Sequence, residues 1–382
     1  MKEKTLKTVS IIGTRGYPSF YGGFETAVRK LAPFLADRGW NVVVYGRKGA
    51  IKKNSFEADG RILSVETLGV NSKALSTLTY GLTACLSAFF RKPDIALVMN
   101  VANGFWLPLL RLRGIPVVVN VDGIEWERDK WSPLAKRIFR IGAWLTAKFA
   151  TAIICDAHEI KRIWNEKYSV DGVFIPYGGE DISTGLLDEG LKKDSYILLV
   201  ARFVPENTVV EFFEAAPKLA EKWNVVIVGS SGFNGELDEA AKVLADTNPR
   251  ITWLGHLSDD QRLFALWENA GVYFHGHSVG GTNPALVQAM MCGAPTVARD
   301  TPYNREVLGD YGLFTAPGVE EIVEQVSTLM DSPEQRISLS SGARERARKF
   351  YNWHLVNDCY ENLLSDVSAK SVQDSGTQVK AS

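Results

Sequence analysis

The chain has 382 residues, 46% hydrophobic and 23% charged, a composition that excludes disordered and fibrous proteins, and its length favours two domains. The net charge of −1 conceals an asymmetry, because residues 1–180 carry 26 Lys and Arg against 16 Asp and Glu, whereas the remainder carries 17 against 28. The basic first half is expected to favour an anionic partner, whether nucleic acid, a lipid diphosphate or an acidic membrane surface.

The apolar segments and the cysteines predict a cytoplasmic protein. No uninterrupted apolar run reaches the roughly 18 to 20 residues that span a bilayer, and Met1-Lys2-Glu3-Lys4 leads directly into a strand-like segment. The cysteines stand far apart without a C-x-x-C pair, which is typical of a reducing compartment: Cys85, Cys155, Cys292 and Cys359.

Short β-branched runs alternate with helical patterns along the first half. Strand-like runs begin at Thr8, Val42, Ile95, Val117 and Ala152, and a helix is predicted from Phe24 to Arg38. This alternation predicts a parallel sheet covered by helices on both faces. We expect residues 1–180 to form an N-terminal Rossmann-like domain.

The pattern restarts after a polar stretch, with strand-like runs that begin at Tyr196, Val225, Ile251, Val272 and Thr296. Residues 181–350 are therefore predicted to form a second Rossmann-like domain. The predicted fold class is α/β, with two Rossmann-like, doubly wound parallel-sheet domains that face each other across a cleft. Residues 351–365 are expected to be a helix that packs back toward the N-terminal domain, and residues 366–382 a disordered tail.

Glycines lie between the first strand and its helix, where backbone can approach a ligand and a helix N-terminus favours anions. The predicted donor contacts here are Gly13, Arg15, Gly16, Gly22 and Gly23. The spacing is not G-x-G-x-x-G, and the second strand ends at Tyr45-Gly46-Arg47-Lys48 without a carboxylate, which argues against NAD. A loop that only packs is the alternative.

A carboxylate-dense loop, 122–128, follows the strand that ends at Val121. Because open α/β sheets bind ligands at the carboxyl ends of their strands, Asp122 and Glu125 are candidate catalytic residues that bind sugar hydroxyls or take a proton. The alternative is a solvated loop in which Trp126 is merely packed.

Two loops of the second half carry candidate donor contacts. Arg202 follows the first strand, where a cation suits a diphosphate leaving group, and Asn207 ends the same segment. A structural pairing of Arg202 with Glu206 is the alternative. Gly229 and Ser230 follow the next strand and are further candidates for nucleotide contact.

The densest signal is the segment 275–284 and the helix after it. Glycines, hydroxyls and backbone amides converge on a helix start with Pro284 near its first position, which favours an anion such as a diphosphate. The predicted donor contacts are His277, Gly280, Gly281, Thr282, Asn283 and, one turn into the helix, Gln288. Two histidines also suit a metal, but no third ligand is nearby in the sequence, so no metal site is assigned.

These motifs resemble glycosyltransferase family 4, whose members are retaining enzymes with the two-domain GT-B fold. Three segments are similar to the family's V-G-R-…-E-K, I-P-N-G and E-A-M-x-x-G-x-P patterns, respectively Val200 to Asn207, Ile175 to Gly178 and Gln288 to Pro295. Residues 13–25 and 278–284 resemble the bacterial subgroup associated with rhamnosyl transfer in surface-polysaccharide assembly.

The sequence departs from the family at three positions. The family's E-x7-E pair falls on Gly280 and Gln288, and the Lys that accompanies Arg202 is replaced by Asn207. A neutral amide binds ribose hydroxyls more weakly than a carboxylate does. Either another cation, such as Arg15 or a histidine of the turn, compensates for the missing Lys, or catalysis is slow or absent.

The resemblance implies a retaining hexosyltransferase that needs neither cofactor nor metal, and the chain contains no D-x-D triplet. The donor would be a dTDP-, UDP- or GDP-linked sugar, with rhamnose from dTDP-rhamnose as the best match. The domain 181–350 would bind this nucleotide sugar and the domain 1–180 would be the acceptor side. The acceptor would be a glycan or a polyprenyl-diphosphate-linked sugar, and no nucleic acid is implied. Arg202 and the amides of 280–283 would stabilise the leaving diphosphate during same-face attack.

A helical pattern near residues 134–148 combines cations with apolar side chains. The cations are Lys136, Arg137, Arg140 and Lys148, and the apolar residues are Leu134, Ile138, Phe139, Ile141, Trp144 and Leu145. This pattern predicts peripheral contact with the inner face of an anionic membrane. The alternative is a core helix whose basic face is solvated.

Two other functions fit the same sequence. A sugar-nucleotide epimerase or a phosphorylase can use paired Rossmann domains around a diphosphate. A catalytically weak or dead homologue that binds the donor and acts as a scaffold is favoured by the missing carboxylates and Lys.

Overall fold

The computed structural model describes residues 6–20, 22–52, 58–70, 76–128, 131–187, 190–232 and 235–379, with side chains described to residue 370. The chain divides into two compact units. The first unit comprises Met1–Glu127, Trp131–Pro176 and Trp353–Ser382, and the second comprises Arg128–Lys130 and Tyr177–Asn352. Apart from the short segment Arg128–Lys130, the chain passes from the first unit to the second after Pro176, whereas the sequence places the boundary at residue 180.

The first unit is built on a seven-stranded parallel sheet. Its strands are β1 (Thr8–Ile12), β2 (Asn41–Arg47), β3 (Leu63–Thr67), β4 (Ile95–Met99), β5 (Val117–Asn120), β6 (Ala152–Cys155) and β7 (Val173–Phe174). Their order is β3-β2-β1-β4-β5-β6-β7. Ile11 of β1 pairs with Val44 of β2 and with Leu97 of β4. Both β4 and β5 are buried along their whole length, as strands covered on both faces must be.

Helices follow most of these strands. They are α1 (Gly23–Asp37), α2 (Ser76–Arg91), α3 (Leu107–Leu112), α4 (Pro133–Phe149) and α5 (His158–Tyr168). Helix α2 packs against α3, and α3 packs against α4, so that these three helices form one layer. Helix α4 also lies against the short 3-10 turn Val101–Trp106.

The second unit repeats this plan with a six-stranded parallel sheet. Its strands are β8 (Tyr196–Val200), β9 (Asn224–Val228), β10 (Ile251–Trp253), β11 (Val272–His275), β12 (Thr296–Arg299) and β13 (Leu313–Thr315), in the order β10-β9-β8-β11-β12-β13. Its helices are α6 (Val209–Leu219), α7 (Glu236–Thr247), α8 (Asp260–Asn269), α9 (Pro284–Cys292), α10 (Pro302–Leu308), α11 (Val319–Met330) and α12 (Pro333–Phe350).

Both sheets have the doubly wound strand order, which confirms the predicted fold class of two α/β parallel-sheet domains. The order reverses between β1 and β4 in the first unit and between β8 and β11 in the second. Open α/β sheets bind their ligands beside the carboxyl ends of the strands at this point. A ligand site is therefore expected at the loops that follow these four strands.

The chain ends in the helix α13 (Trp353–Val379), which belongs to the first unit. Val356, Tyr360, Leu364 and Val367 are buried in the first unit's core, and the Asn120 amide donates a hydrogen bond to the Tyr360 hydroxyl at 2.7 Å. This corrects the expectation of a disordered tail from residue 366, because burial of residues 367 and 368 holds the helix past that point. Residues 380–382 lie outside the described part.

Over the described ranges, no helix is long and apolar enough to cross a membrane.

Candidate functional site

The loops after β8, β9 and β11 of the second unit lie against one another. We call residues 201–208, 229–232 and 276–283 the loop cluster. The amide of Asn207 joins two of these loops, because its nitrogen donates to the Arg202 carbonyl at 2.8 Å and its oxygen lies 2.6 Å from Nδ1 of His277. A carbonyl only accepts, so the Asn207 oxygen must face His277, and the proton of that contact belongs to Nδ1.

Further hydrogen bonds fix the loop after β11 to the loop after β8. The amide and the hydroxyl of Ser278 both donate to the Glu206 carbonyl at 2.9 Å, and the Thr208 hydroxyl donates to the Gly276 carbonyl at 2.6 Å. A Cβ atom on Gly276 would lie 2.2 Å from the Asn207 carbonyl oxygen. The two loops thus approach so closely that only glycine fits at position 276.

The loop after β9 completes the cluster. The Phe203 amide donates to the Ser230 carbonyl at 3.1 Å. Gly229 has a φ of +137°, and a Cβ there would lie 1.8 Å from the Ala201 carbonyl oxygen. Position 229 therefore requires glycine both for its backbone conformation and for space. The predicted residues Gly229 and Ser230 are thus brought beside the segment that carries Arg202.

The turn before α9 leads directly into the helix start. Pro284 is the first residue of α9, as the sequence predicts, and the Asn283 side chain accepts a hydrogen bond from the Ala285 amide at 2.9 Å. Asn283 is therefore the N-cap of α9, in addition to any contact with a ligand. Gly281 and Thr282 are buried in the turn.

Gly280 stands where the family pattern has a carboxylate, and its backbone explains the difference. Its φ of +122° is strained for any residue with a side chain. A Cβ there would also lie 3.2 Å from Nη2 of Arg128 and 3.4 Å from Nε2 of His277. The guanidinium of Arg128 is therefore close to this turn, although no sequence pattern links residues so far apart in the chain.

Burial keeps both His275, at the end of β11, and His277 of the loop cluster neutral. It lowers the pKa of His275 to about 3. The pKa of His277 lies well below its ordinary value because of burial, with further contributions from His275 and from the charges of Arg128 and Arg202. Near neutral pH the positive charges close to His277 are thus the two arginines, and a histidine of the turn does not replace the family's Lys.

Gln288 is engaged elsewhere. Its side-chain oxygen accepts from the Glu180 amide, and its nitrogen donates to the Glu180 carbonyl, each at 2.9 Å. Both polar atoms thus hold the chain just after the crossing at Pro176. The ribose contact predicted for Gln288 stays a prediction.

The glycine loop after β1 has the conformations that its sequence predicts. Gly13 and Gly16 have φ values of +95° and +121°, and a Cβ on Gly13 would lie 2.3 Å from the Met99 carbonyl oxygen. The Arg15 amide donates to the Glu25 carboxylate at 3.0 Å. Gly22 precedes α1 as its N-cap and Gly23 is the first residue of that helix.

A small cavity opens beside this loop. It is lined by Gly13 and Thr14 after β1, by Tyr45 and Arg47 of β2 and by residues of α2 that include Tyr80. Tyr45 is buried, and no partner within the described ranges hydrogen-bonds to its hydroxyl. The cavity wall is therefore mixed, with the aromatic rings and hydroxyls of two tyrosines, threonine side chains and one guanidinium.

The predicted catalytic residues come from both units. Arg202 belongs to the second unit, whereas Asp122 and Glu125 belong to the first. Asp122 follows β5 with a φ of +60°, and its amide donates to the Asn120 side chain at 2.9 Å. Glu125 is buried, and its carboxylate accepts from the Trp131 indole at 2.7 Å. Glu125 is therefore held by the indole of Trp131, and its catalytic role stays a prediction.

Across the residues whose positions are described, no group of three or more His, Cys, Asp or Glu side chains is placed to hold a metal ion.

Two protein families match the chain, one in each half. Residues 188–346 match the family described as glycosyl transferases group 1, and residues 6–180 match a domain of unknown function, DUF1972. The first of these matches contains the whole loop cluster.

One relative is similar to part of the chain. The N,N'-diacetylbacillosaminyl-diphospho-undecaprenol alpha-1,3-N-acetylgalactosaminyltransferase of Campylobacter jejuni is 24% identical over 180 residues, which are 46% of this chain and 46% of that protein. The match thus spans about half the length of the relative.

Solved structures resemble the whole chain. The sucrose-phosphate synthase of Thermosynechococcus elongatus superposes with a TM-score of 0.79 at 17% identity, covering 95% of this chain and 100% of the other. HepE from Anabaena, in complex with UDP, superposes with a TM-score of 0.68 at 16% identity, covering 94% and 100%. The chain therefore has the two-domain α/β fold of GT-B glycosyltransferases, and its second half carries a match to the glycosyl transferases group 1 family.

Proposed function

We propose that the protein is a glycosyltransferase that binds a nucleoside diphosphate sugar at the loop cluster of its second unit. The observation that carries this proposal is the arrangement around Gly280, where a glycine turn, the start of α9 and the Arg128 guanidinium come together beside a neutral His277. The group 1 match over the same residues and the UDP complex of HepE support it.

In this proposal two arginines stabilise the leaving diphosphate. Arg202 follows β8, and Arg128 lies beside the turn that carries Gly280. Positive charge close to a developing diphosphate lowers the barrier to its departure, especially where water is excluded. Arg128 would then supply the charge that the family pattern places at residue 207, where this chain uses Asn to join its loops.

The amides of 280–283 would complete the diphosphate site, since backbone N–H groups at a helix start favour anions. The reaction would be retaining and independent of metal, with the acceptor hydroxyl attacking the face that the diphosphate leaves. Both properties are proposed because the sequence resembles that of a retaining, metal-independent family. Asp122 is the proposed acceptor-side residue, while the buried Glu125 would position its loop through Trp131.

The proposed substrates are supported by the sequence resemblance and by the relative from Campylobacter jejuni. The sequence subgroup favours dTDP-rhamnose as the donor. The name of the Campylobacter jejuni relative includes a diphospho-undecaprenol, which favours a polyprenyl-diphosphate-linked acceptor in surface-polysaccharide synthesis. A cytoplasmic location is part of the same proposal.

A thermal-shift screen with dTDP-, UDP- and GDP-sugars tests donor binding, because a ligand that binds only the folded state raises its stability. We expect the melting temperature to rise with one nucleotide class. No shift with any of the three would contradict the donor site.

Turnover then separates the possible functions of a donor-binding protein. With the preferred donor and a polyprenyl-diphosphate-linked acceptor, a transferase releases nucleoside diphosphate and elongates the acceptor. Conversion of the donor sugar without any acceptor would indicate an epimerase. Binding with neither reaction would indicate the scaffold, which the absence of a carboxylate at positions 280 and 288 favours.

A further inference from the structure

The outer face of α4 mixes cations with large apolar side chains. The exposed residues are Leu134, Arg137, Arg140, Ile141, Trp144 and Lys148, which recur at the three- and four-residue spacing of one helix face. Leu134 and Trp144 are 69% and 52% exposed. The sequence alternative of a core helix with a solvated basic face therefore does not describe these residues, because apolar and basic side chains share the solvent side.

Small residues on the inner face explain why the large ones point outward. Gly142, Ala143 and Thr146 are the buried residues of α4. A Cβ on Gly104 would lie 2.1 Å from the Gly142 carbonyl oxygen, and one on Gly142 would lie 2.5 Å from the Val101 carbonyl oxygen. The helix thus approaches the neighbouring backbone too closely for a large side chain to fit between them.

The neighbouring helices extend this surface. Phe90 at the end of α2 is 79% exposed and Leu112 at the end of α3 is 81% exposed. Helices α2, α3 and α4 together contain six Lys and Arg and not one Asp or Glu: Arg91, Arg111, Lys136, Arg137, Arg140 and Lys148. We call the exposed side of these three helices the helical face.

We infer that the helical face binds the surface of an anionic lipid bilayer, with its cations at the headgroups and Trp144, Phe90 and Leu112 inserted at the interface. An amphipathic surface that combines Lys and Arg with exposed Trp, Phe and Leu suits the boundary between headgroups and acyl chains. Each cation near an anionic surface adds about 1 kcal/mol of attraction, so the exposed cations of these helices favour binding.

Charge and apolar content together select this partner. Nucleic-acid interfaces are polar and positively charged, and they have little use for exposed Leu, Ile and Phe side chains among the cations. A second copy of the same face would place like charges against each other, at a cost that an anionic bilayer does not incur. The contact is of the peripheral kind and needs no membrane-spanning helix.

Vesicle sedimentation tests the inference on the full chain without donor or acceptor, so the result does not depend on catalysis. We expect binding to vesicles that mix phosphatidylcholine with phosphatidylglycerol, little binding to phosphatidylcholine alone, and release by salt. The triple variant Arg137→Gln, Arg140→Gln, Lys148→Gln should weaken binding at least about tenfold, and Trp144→Ser about fivefold.

A charge-matched control removes three exposed lysines of the second unit instead, Lys192→Gln, Lys193→Gln and Lys242→Gln, and should bind as the unchanged protein does. Light scattering at the same concentrations reports self-association. Equal binding to both vesicle types, equal loss in the control, no vesicle binding at all, or a dimer that the α4 variants abolish would each overturn the inference. Melting temperatures establish that the variants are folded.

Discussion

The loop cluster of the second unit and the helical face of the first unit use polar side chains in opposite ways. In the loop cluster, His277 and Asn207 are buried, neutral and hydrogen-bonded to neighbouring loops. On the helical face, Arg137 and Arg140 are exposed beside Trp144. The two sheets share one winding order, so the difference lies in the loops and in the outer faces of helices. One fold thus serves as a scaffold for two kinds of contact.

The closest backbone approach of the loop cluster should be the most sensitive to substitution. Gly229→Ala introduces a Cβ at 1.8 Å from the Ala201 carbonyl oxygen, on a backbone with positive φ. We expect it to lower the free energy of unfolding by about 3 kcal/mol, since strain and overpacking add. Denaturant unfolding measures this loss. Gly60→Ala is the control, because no atom lies within 4 Å of its added Cβ, and equal effects at both sites would contradict the packing.

The two arginines beside His277 should affect turnover rather than folding. We expect Arg202→Ala to lower the rate of transfer about 100-fold, and Arg128→Ala about tenfold, because each removes charge that stabilises the leaving diphosphate. Steady-state kinetics with the donor found in the thermal-shift screen measures both rates. Lys242→Ala is the control on the surface of the same unit. An unchanged rate for Arg202→Ala would remove its assigned role.

The buried histidines should give the smallest effect near neutral pH, where it appears as the beginning of a dependence of stability on pH. The pKa of His275 falls from 6.5 to about 3 on burial, so between these values the unfolded chain binds a proton that the folded chain does not. Stability should therefore fall as the pH decreases from 6.5 toward 3, by up to about 1.4 kcal/mol per pH unit.

His275→Gln removes this titration and should flatten the profile, as unfolding measured near neutral pH and at about pH 5 will report. The matched control is His256→Gln, at an exposed position, which should leave the slope unchanged. The same slope in the His275 variant and in the unchanged protein would show that this histidine is accessible to protons.

The periodicity of the sequence was sufficient to predict the two sheets and the loops at the carboxyl ends of their strands, because buried parallel strands are continuous apolar runs. The role of Asn207 was not accessible in this way. The hydrogen bonds that join it to His277 and to the Arg202 carbonyl depend on two loops that are distant in the chain. The position of Arg128 beside Gly280 could not be predicted either, because the two residues are also distant in the chain.

The sequence pattern also could not predict which side of α4 is exposed. Its apolar residues cover more than one side of the helix, and only the close contact at Gly142 decides which of them are left outside. The end of α13 could not be predicted either, since the polar composition after residue 366 does not indicate that Val367 and Ser368 are buried. Local composition cannot report a contact that a distant part of the chain supplies.

The pairing of Gln288 with Glu180 bears on how this sequence can change. Gln288 meets a backbone amide and a backbone carbonyl at once, as a neighbouring strand would, and only a side chain that both donates and accepts can do so. Glutamate at this position would direct a negatively charged oxygen at the Glu180 carbonyl. The substitution Gln288→Glu alone would therefore remove the hydrogen bond to that carbonyl, so the present pairing disfavours the family's carboxylate at this position.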